Sequence, residues 1–304
     1  MDILIVGSGA LATLFAARLG AAGHAITMLG SWQSGLAALR TNGARLLETK
    51  GRELSSPVLA TDDPARCRPA KYALVLVKAW QTKRAAQQLA ECLTEDGLAL
   101  TLQNGLGNRE TLGLSLGLPR VALGVTTTGA TLLAPGLARV GGEGPVSLEA
   151  HPRLGVLPAI LTEAGFRVQI VNDAEALVWG KLVINAAINP LTALLRVPNG
   201  ELLQRPAARY LMGQLAQEAA AVAQAQGIRL PFKDAVEAAE QVARKTAENH
   251  SSMLQDMQRG APTEIDAICG VIMQAGERVG IATPYNRFCW YFIRASQSVA
   301  SIAQ

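Results

Sequence analysis

Ile3-Leu4-Ile5-Val6-Gly7-Ser8-Gly9-Ala10-Leu11-Ala12 decides the fold of this 304-residue chain. Four apolar residues, three of them β-branched, read as a buried strand. Glycines at 7 and 9 and a small residue at 12 follow at once, and Thr13 to Ala22 can continue as a helix. A strand, a tight glycine turn and a helix place a pyrophosphate on a helix N-terminus. The first Gly makes the turn, the second admits the phosphates, and the third small residue packs helix on strand. Gly23-His24 and a second β-like run, Ala25-Ile26-Thr27-Met28-Leu29, complete a βαβ unit. Gly7, Ser8, Gly9, Ala10, Leu11 and Ala12 are therefore the candidate cofactor loop. A glycine turn that binds nothing is the alternative, and the βαβ context argues against it.

Outward from this loop, strands and amphipathic segments alternate. Leu36 to Thr41 can be helical, and Arg45 to Leu59 reads as a hairpin or two short strands. Tyr72 to Val77 is a buried strand ending at Lys78, followed by a polar helix from Gln81 to Leu93. Gly97 to Leu102 is the next strand and ends at Gln103-Asn104-Gly105. Val121 to Thr128 is another, and Gly129 to Glu149 reads as a hairpin with Gly/Pro turns. Leu157 to Ala164 and Phe166 to Val171 close the unit. Alternation of this kind implies a parallel sheet wound on both faces. Near Asn172-Asp173 the pattern turns helical, with segments from about Ala174, Ala207 to Gln226, Phe232 to Glu248, a start near Pro262-Thr263-Glu264, and a last helix after Thr283-Pro284. The expectation is an α/β protein: a dinucleotide-binding Rossmann-type domain over 1–171 and an all-α substrate-binding domain over 172–304. The site is expected at the carboxyl ends of the strands, facing the helical domain.

Composition narrows the function classes. Hydrophobic residues make up 49% and charged residues 17%, with a mean hydropathy of +0.21, as deeply buried helices and a covered sheet require. The net charge of +4 is unclustered, so nucleic acid is not expected as a partner. A basic pocket for an anionic small molecule suits the pI near 9.0 better. Cys67, Cys92, Cys269 and Cys289 show no CxxC spacing, and His24, His151 and His250 no metal-ligand spacing. No metal is expected, and free thiols point to a reducing, cytoplasmic setting. With the first strand at the N-terminus, no signal peptide is expected. Ala176 to Leu195 is the longest apolar stretch. It carries Lys181, Asn185, Asn189 and Pro190, which suit a buried helix beside a polar site and would be costly in a membrane.

Three groups of residues could carry chemistry. Lys78 and Asn104 lie just past buried strands, at the sheet edge where a cofactor lies, although solvated loop residues would look the same. Lys181, Asn185 and Asn189 fall within an arc of about 80° on one helix face. A cation and two amides in one buried stripe need partners. They form either a structural polar seam or the wall of a small-substrate pocket, with the amides binding hydroxyl or carboxylate and the lysine acting as acid or electrophile. Ser251-Ser252 and Glu264 are the third group. Glu264 suits a helix start, and beside a buried lysine it would also balance charge.

The motifs resemble the ketopantoate reductases (2-dehydropantoate 2-reductases). They are Gly7-x-Gly9-x-x-Ala12, Val77-Lys78-Ala79-x-Gln81-Thr82, Gln103-Asn104-Gly105-x-Gly107-Asn108, Lys181-x-x-x-Asn185-x-x-x-Asn189-Pro190-x-Thr192-Ala193-Leu194, Ser251-Ser252-Met253-Leu254-Gln255-Asp256 and Thr263-Glu264-Ile265-Asp266. The resemblance spans nearly the whole chain, in order. It implies a helical domain like the C-terminal domain of 6-phosphogluconate dehydrogenase, and an oxidoreductase that reduces 2-dehydropantoate to (R)-pantoate with NADPH, in pantothenate synthesis. Lys181 would be the general acid and Glu264 would hold it and bind substrate. Asn185, Asn189 and Ser252 would bind substrate, Asn104 would sit near nicotinamide and substrate, and Lys78 near the cofactor. One position departs from the family: Ser31 stands where an arginine usually meets the 2′-phosphate. No acid replaces it, as an NAD enzyme would want. NADP stays favoured, with Ser31, Gln33 and Ser34 as neutral donors and Arg40 as a distant cation. Trp32 either covers the adenine or caps the sheet. Two other functions fit the residues: reduction of another small 2-oxo acid, which a substrate panel separates, and a non-catalytic NADP(H)-sensing module, which would not need the lysine stripe and Glu264 to converge. A monomer and a homodimer are both compatible with the sequence.

Overall fold

The computed structural model describes residues 1–49 and 51–297. The chain divides into two compact units. The first comprises Met1–Gln103 and Gly107–Ala174; the second begins at Glu175 and includes the three loop residues Asn104–Leu106.

The first unit opens with β1 (Asp2–Val6), α1 (Ala10–Ala21), β2 (Ala25–Leu29) and α2 (Gln33–Asn42). Three short strands follow: β3 (Ala44–Leu47), β4 (Glu53–Ser56) and β5 (Leu59–Thr61). Then come β6 (Ala70–Val75), α3 (Thr82–Cys92), β7 (Leu93–Thr101), α4 (Asn108–Leu116) and β8 (Val121–Thr126). The unit ends with β9 (Gly129–Ala134), β10 (Leu137–Gly142), β11 (Val146–Glu149), α5 (Leu157–Glu163) and β12 (Val168–Val171). Eight strands form one sheet in the order β12-β11-β8-β7-β6-β1-β2-β5. Every pair is parallel except β8 with β11. Val6 is in register with Leu29 on one side and Val75 on the other, so Gly7 leaves the sheet at the carboxyl edge. Strand alternation sorts the core. Ile3 and Ile5 pack with α1 residues such as Phe15 and with Leu157 and Leu161 of α5; Leu4 and Val6 pack with Ala85 and Leu89 of α3 and Leu112 of α4.

Two sequence expectations need correction here. The stretch from Gly129 to Glu149 is not one hairpin: β9 and β10 pair antiparallel, while β11 returns to the large sheet between β8 and β12. Helices alone do not cover the sheet either. A second sheet, β4-β3-β10-β9, packs on α1. Ala44, Leu46, Ala138 and Val140 join the α1 core, and the Ser56 hydroxyl donates to the Ala17 carbonyl at 2.8 Å.

The second unit is helical: α6 (Ala174–Leu195, its first residue belonging to the first unit), α7 (Glu201–Gln204), α8 (Pro206–Ala225), α9 (Ala235–Lys245), α10 (Ser252–Gln258), α11 (Val271–Val279) and α12 (Pro284–Ser296). A π-helical turn, Asp266–Gly270, leads into α11. The short α7 and α10 carry too little periodicity to be read from sequence. The helix expected from Phe232 starts only at Ala235, because Asp234 caps it by accepting from Val236 N at 2.8 Å and Glu237 N at 3.0 Å. Among the described residues α6 is the one helix long and apolar enough to cross a membrane, but 72% of its apolar window is buried inside the protein. Trp179, Leu182, Val183, Ala186 and Ala187 form the centre of the helical core.

Candidate active site

The glycine loop sits at the end of β1, and α1 begins at Ala10. Gly7 has φ +136°, and a Cβ there would lie 3.1 Å from the Leu76 carbonyl carbon, so only glycine fits without strain. Gly9 differs. Its φ of −84° suits any residue, and a Cβ would meet nothing within 4 Å. Neither strain nor packing within the protein accounts for glycine at position 9. Close approach of a ligand to the first turn of α1 does account for it, and that turn holds no acidic residue. Ala12 is fully buried against the sheet, as the third small position requires. The loop therefore fits a diphosphate.

Ser31 and Lys78 lie beyond the carboxyl ends of β2 and β6, the two strands that flank β1. The Gln81 side chain donates to Ser31 Oγ at 3.3 Å. Gln33 and Arg40 have other duties than the free donors expected from the sequence. Gln33 Nε2 donates to Asp62 Oδ2 at 2.7 Å, while Arg40 Nε donates to the Ala60 carbonyl at 2.7 Å and its guanidinium lies 3.7 Å from Asp62. The Gln33 hydrogen bond, and then the neighbouring arginines, hold the Asp62 carboxyl below its ordinary range. Nothing local in the sequence marked Asp62, which reaches this rim from the end of β5. Trp32 is 40% exposed, with its ring against Gly35, where a Cβ would lie 2.2 Å from the indole.

In the helical unit, α6 carries Lys181, Asn185 and Asn189 on one face. Asn189 is buried; Lys181 and Asn185 are half-buried. Loss of water pushes the Lys181 ammonium down to about 8, against the opposing pull of the Glu264 carboxylate. Glu264 is itself buried, directly ahead of the π-helical turn. Asn104 Nδ2 donates to Glu264 Oε2 at 3.1 Å. Gly105, with φ +82°, lets this loop reach the helices: a Cβ there would lie 2.2 Å from the Ala267 carbonyl oxygen. Lys181, Glu264 and Asn104, drawn from three distant parts of the chain, thus converge in one unit. The arrangement holds an ammonium of lowered pKa beside a fixed carboxylate, which suits proton donation.

The two serines of the third group have separate tasks. Ser251 is buried and caps α10, accepting from Leu254 N at 3.1 Å. Its Oγ lies 2.7 Å from Thr192 Oγ1 of α6. Ser252, the first residue of α10, is half-buried. The four-residue spacing of the polar stripe does not single out Thr192, which stands three residues after Asn189.

Comparison with known proteins covers both units. The family model described as "Ketopantoate reductase PanE/ApbA" matches residues 3–153, and "Ketopantoate reductase PanE/ApbA C terminal" matches residues 173–297. The 2-dehydropantoate 2-reductase of Archaeoglobus fulgidus is 37% identical over 305 residues, covering 97% of this chain and 98% of the relative. That of Halobacterium salinarum is 32% identical, covering 98% and 99%. The crystal structure of a PanE/ApbA family ketopantoate reductase from Ralstonia eutropha JMP134 superposes with a TM-score of 0.90 at 31% identity, covering 98% of each chain.

Proposed function

The chain belongs to the ketopantoate reductase family, and from that premise we propose that it reduces 2-dehydropantoate to (R)-pantoate with NADPH, in pantothenate synthesis. The observation that carries this reading is the convergence of Lys181, Glu264 and Asn104 within the helical unit. A module that only sensed the cofactor would need the glycine loop and not this cluster.

Gly7 to Ala12 would hold NADPH, with Ser31 and Lys78 at its edge, and the bound cofactor would supply the hydride. The chain's own task is to receive the charge that hydride transfer leaves on the ketone oxygen. The Lys181 ammonium hydrogen-bonds that oxygen, stabilises the developing negative charge and then gives up its proton. A pKa of about 8 suits this work: the group is still mainly protonated at neutral pH, yet it is a stronger acid than an ordinary lysine. Glu264 keeps the ammonium charged, and Asn104 fixes the carboxylate. Asn185, Asn189 and Ser252 take the substrate carboxylate and hydroxyl. At the adenosine end, position 31 presents a hydroxyl and no acid, and Arg40 offsets the Asp62 carboxylate at this rim. The lack of an acid at position 31 leaves room for a 2′-phosphate. The four cysteines, all free thiols in the structure, suit a cytoplasmic setting, and the enzyme acts as a monomer or homodimer.

The test is NADPH consumption with 2-dehydropantoate in wild type and Lys181→Ala. The variant is expected to lose about a thousandfold in kcat/KM, as removal of a general acid does. No turnover by wild type, or an unimpaired variant, overturns the proposal.

A further inference from the structure

The hydroxyls of Thr192 and Ser251 join two helices at the substrate end, where neither residue has a chemical task. Thr192 is fully buried and Ser251 nearly so, with their oxygens 2.7 Å apart. Thr192 Oγ1 also lies 3.0 Å from the carbonyl oxygens of Ile188 and Asn189. Counting protons orders these contacts. Ser251 Oγ already accepts from Leu254 N at 3.1 Å. If Ser251 then donates to Thr192, and Thr192 donates to the carbonyls one turn back, every hydroxyl proton has an acceptor. The chain of bonds runs from the first turn of α10 through both hydroxyls to the backbone of Asn189.

The position of this chain gives it a function. Pro190 lies inside α6 and has no N–H to offer the Ala186 carbonyl, so the helix loses one of its own ties beside Asn189. Thr192 binds that loosened turn to α10. Ser252 follows Ser251 directly, and Asn189 supplies one of the bonded carbonyls. We propose that Thr192 and Ser251 are positioning residues that set the register of Ser252 against Asn189 and thereby fix affinity for the oxo acid. The inference rests on the reading of Asn189 and Ser252 as substrate ligands. It adds the pair that holds those ligands in place without touching the substrate.

Steady-state kinetics on the full chain with NADPH and 2-dehydropantoate test it. Thr192→Val removes the hydroxyl and keeps the shape. It is expected to raise KM for 2-dehydropantoate about tenfold, the worth of one buried hydrogen bond, and to leave kcat and the KM for NADPH within about twofold. Thr192→Ser restores the wild-type KM. Ser251→Gly removes the same link from the other side at little capping cost, and carries the same expectation should the valine variant not fold. Ser252→Ala is the reference. If Ser252→Ala raises KM while Thr192→Val and Ser251→Gly do not, the positioning role is overturned alone. A loss confined to kcat in those two variants, at unchanged KM, overturns it equally, because that is the signature of less folded enzyme. An unchanged KM in Ser252→Ala overturns the reading of Ser252 as a ligand, and the positioning role with it.

Discussion

Lys181 shows how one side chain's surroundings set its chemistry. On an exposed helix it would titrate far above neutrality; on α6 the apolar core strips its water, and Glu264 limits the fall. In the proposed mechanism the reactive form is the ammonium, and the direction of the pH dependence follows. The kcat/KM for oxo-acid reduction should be level below about 8 and fall as pH rises through that value and the proton is lost. Glu264→Gln removes the carboxylate that raises the lysine pKa. Its profile should bend at a lower pH than wild type, with reduced activity already at neutrality. A pH–rate series on both proteins checks this. An inflection that stays in place would show that Glu264 does not govern the ammonium. Much of this cluster was legible: the four-residue spacing of Lys181, Asn185 and Asn189 put them on one face. The Asn104–Glu264 bond was not, because 160 residues separate its partners and no local pattern records a contact of that span.

At the scale of elements, helix ends do much of the organising. Glu218 of α8 is an example outside the site. Its carboxylate accepts from Tyr285 N at 2.8 Å, Asn286 N at 2.9 Å and the Asn286 side-chain amide at 2.8 Å. It thereby caps the first turn of α12, whose own Thr283 gives no side-chain cap, and accepts from the side-chain amide of a fully buried asparagine. Glu218→Ala strips these acceptors and should cost about 2–3 kcal/mol, the penalty for buried donors left unpaired. A thermal melt should fall by roughly 5–10 °C, given the scaling for units of this size. An unchanged melt would mean that water or another acceptor takes over. Helix caps read unevenly from sequence. Asp234 and Ser251 stand immediately before their helices and accept from amides two or three residues on, whereas Glu218 caps a helix more than sixty residues away.

For the whole molecule, the βαβ opening and the change to helical periodicity near residue 172 made an α/β unit followed by a helical one readable. The second sheet escaped because β3 pairs with β10, parallel and some ninety residues apart, and strands of four and six residues are too short for a pattern to be read. The loop Asn104–Leu106 escaped for a related reason: it follows a Rossmann strand in sequence and belongs to the helices in space. The glycine loop fits a diphosphate whichever nicotinamide cofactor is bound, so in the proposed function the choice between them falls to the rim around Ser31 and Asp62. The most direct test of the account is kcat/KM for 2-dehydropantoate and a panel of small 2-oxo acids, measured side by side with NADPH and NADH. The account predicts that 2-dehydropantoate is the best substrate and NADPH the better reductant. A higher kcat/KM for another oxo acid, or equal use of NADH, would contradict it.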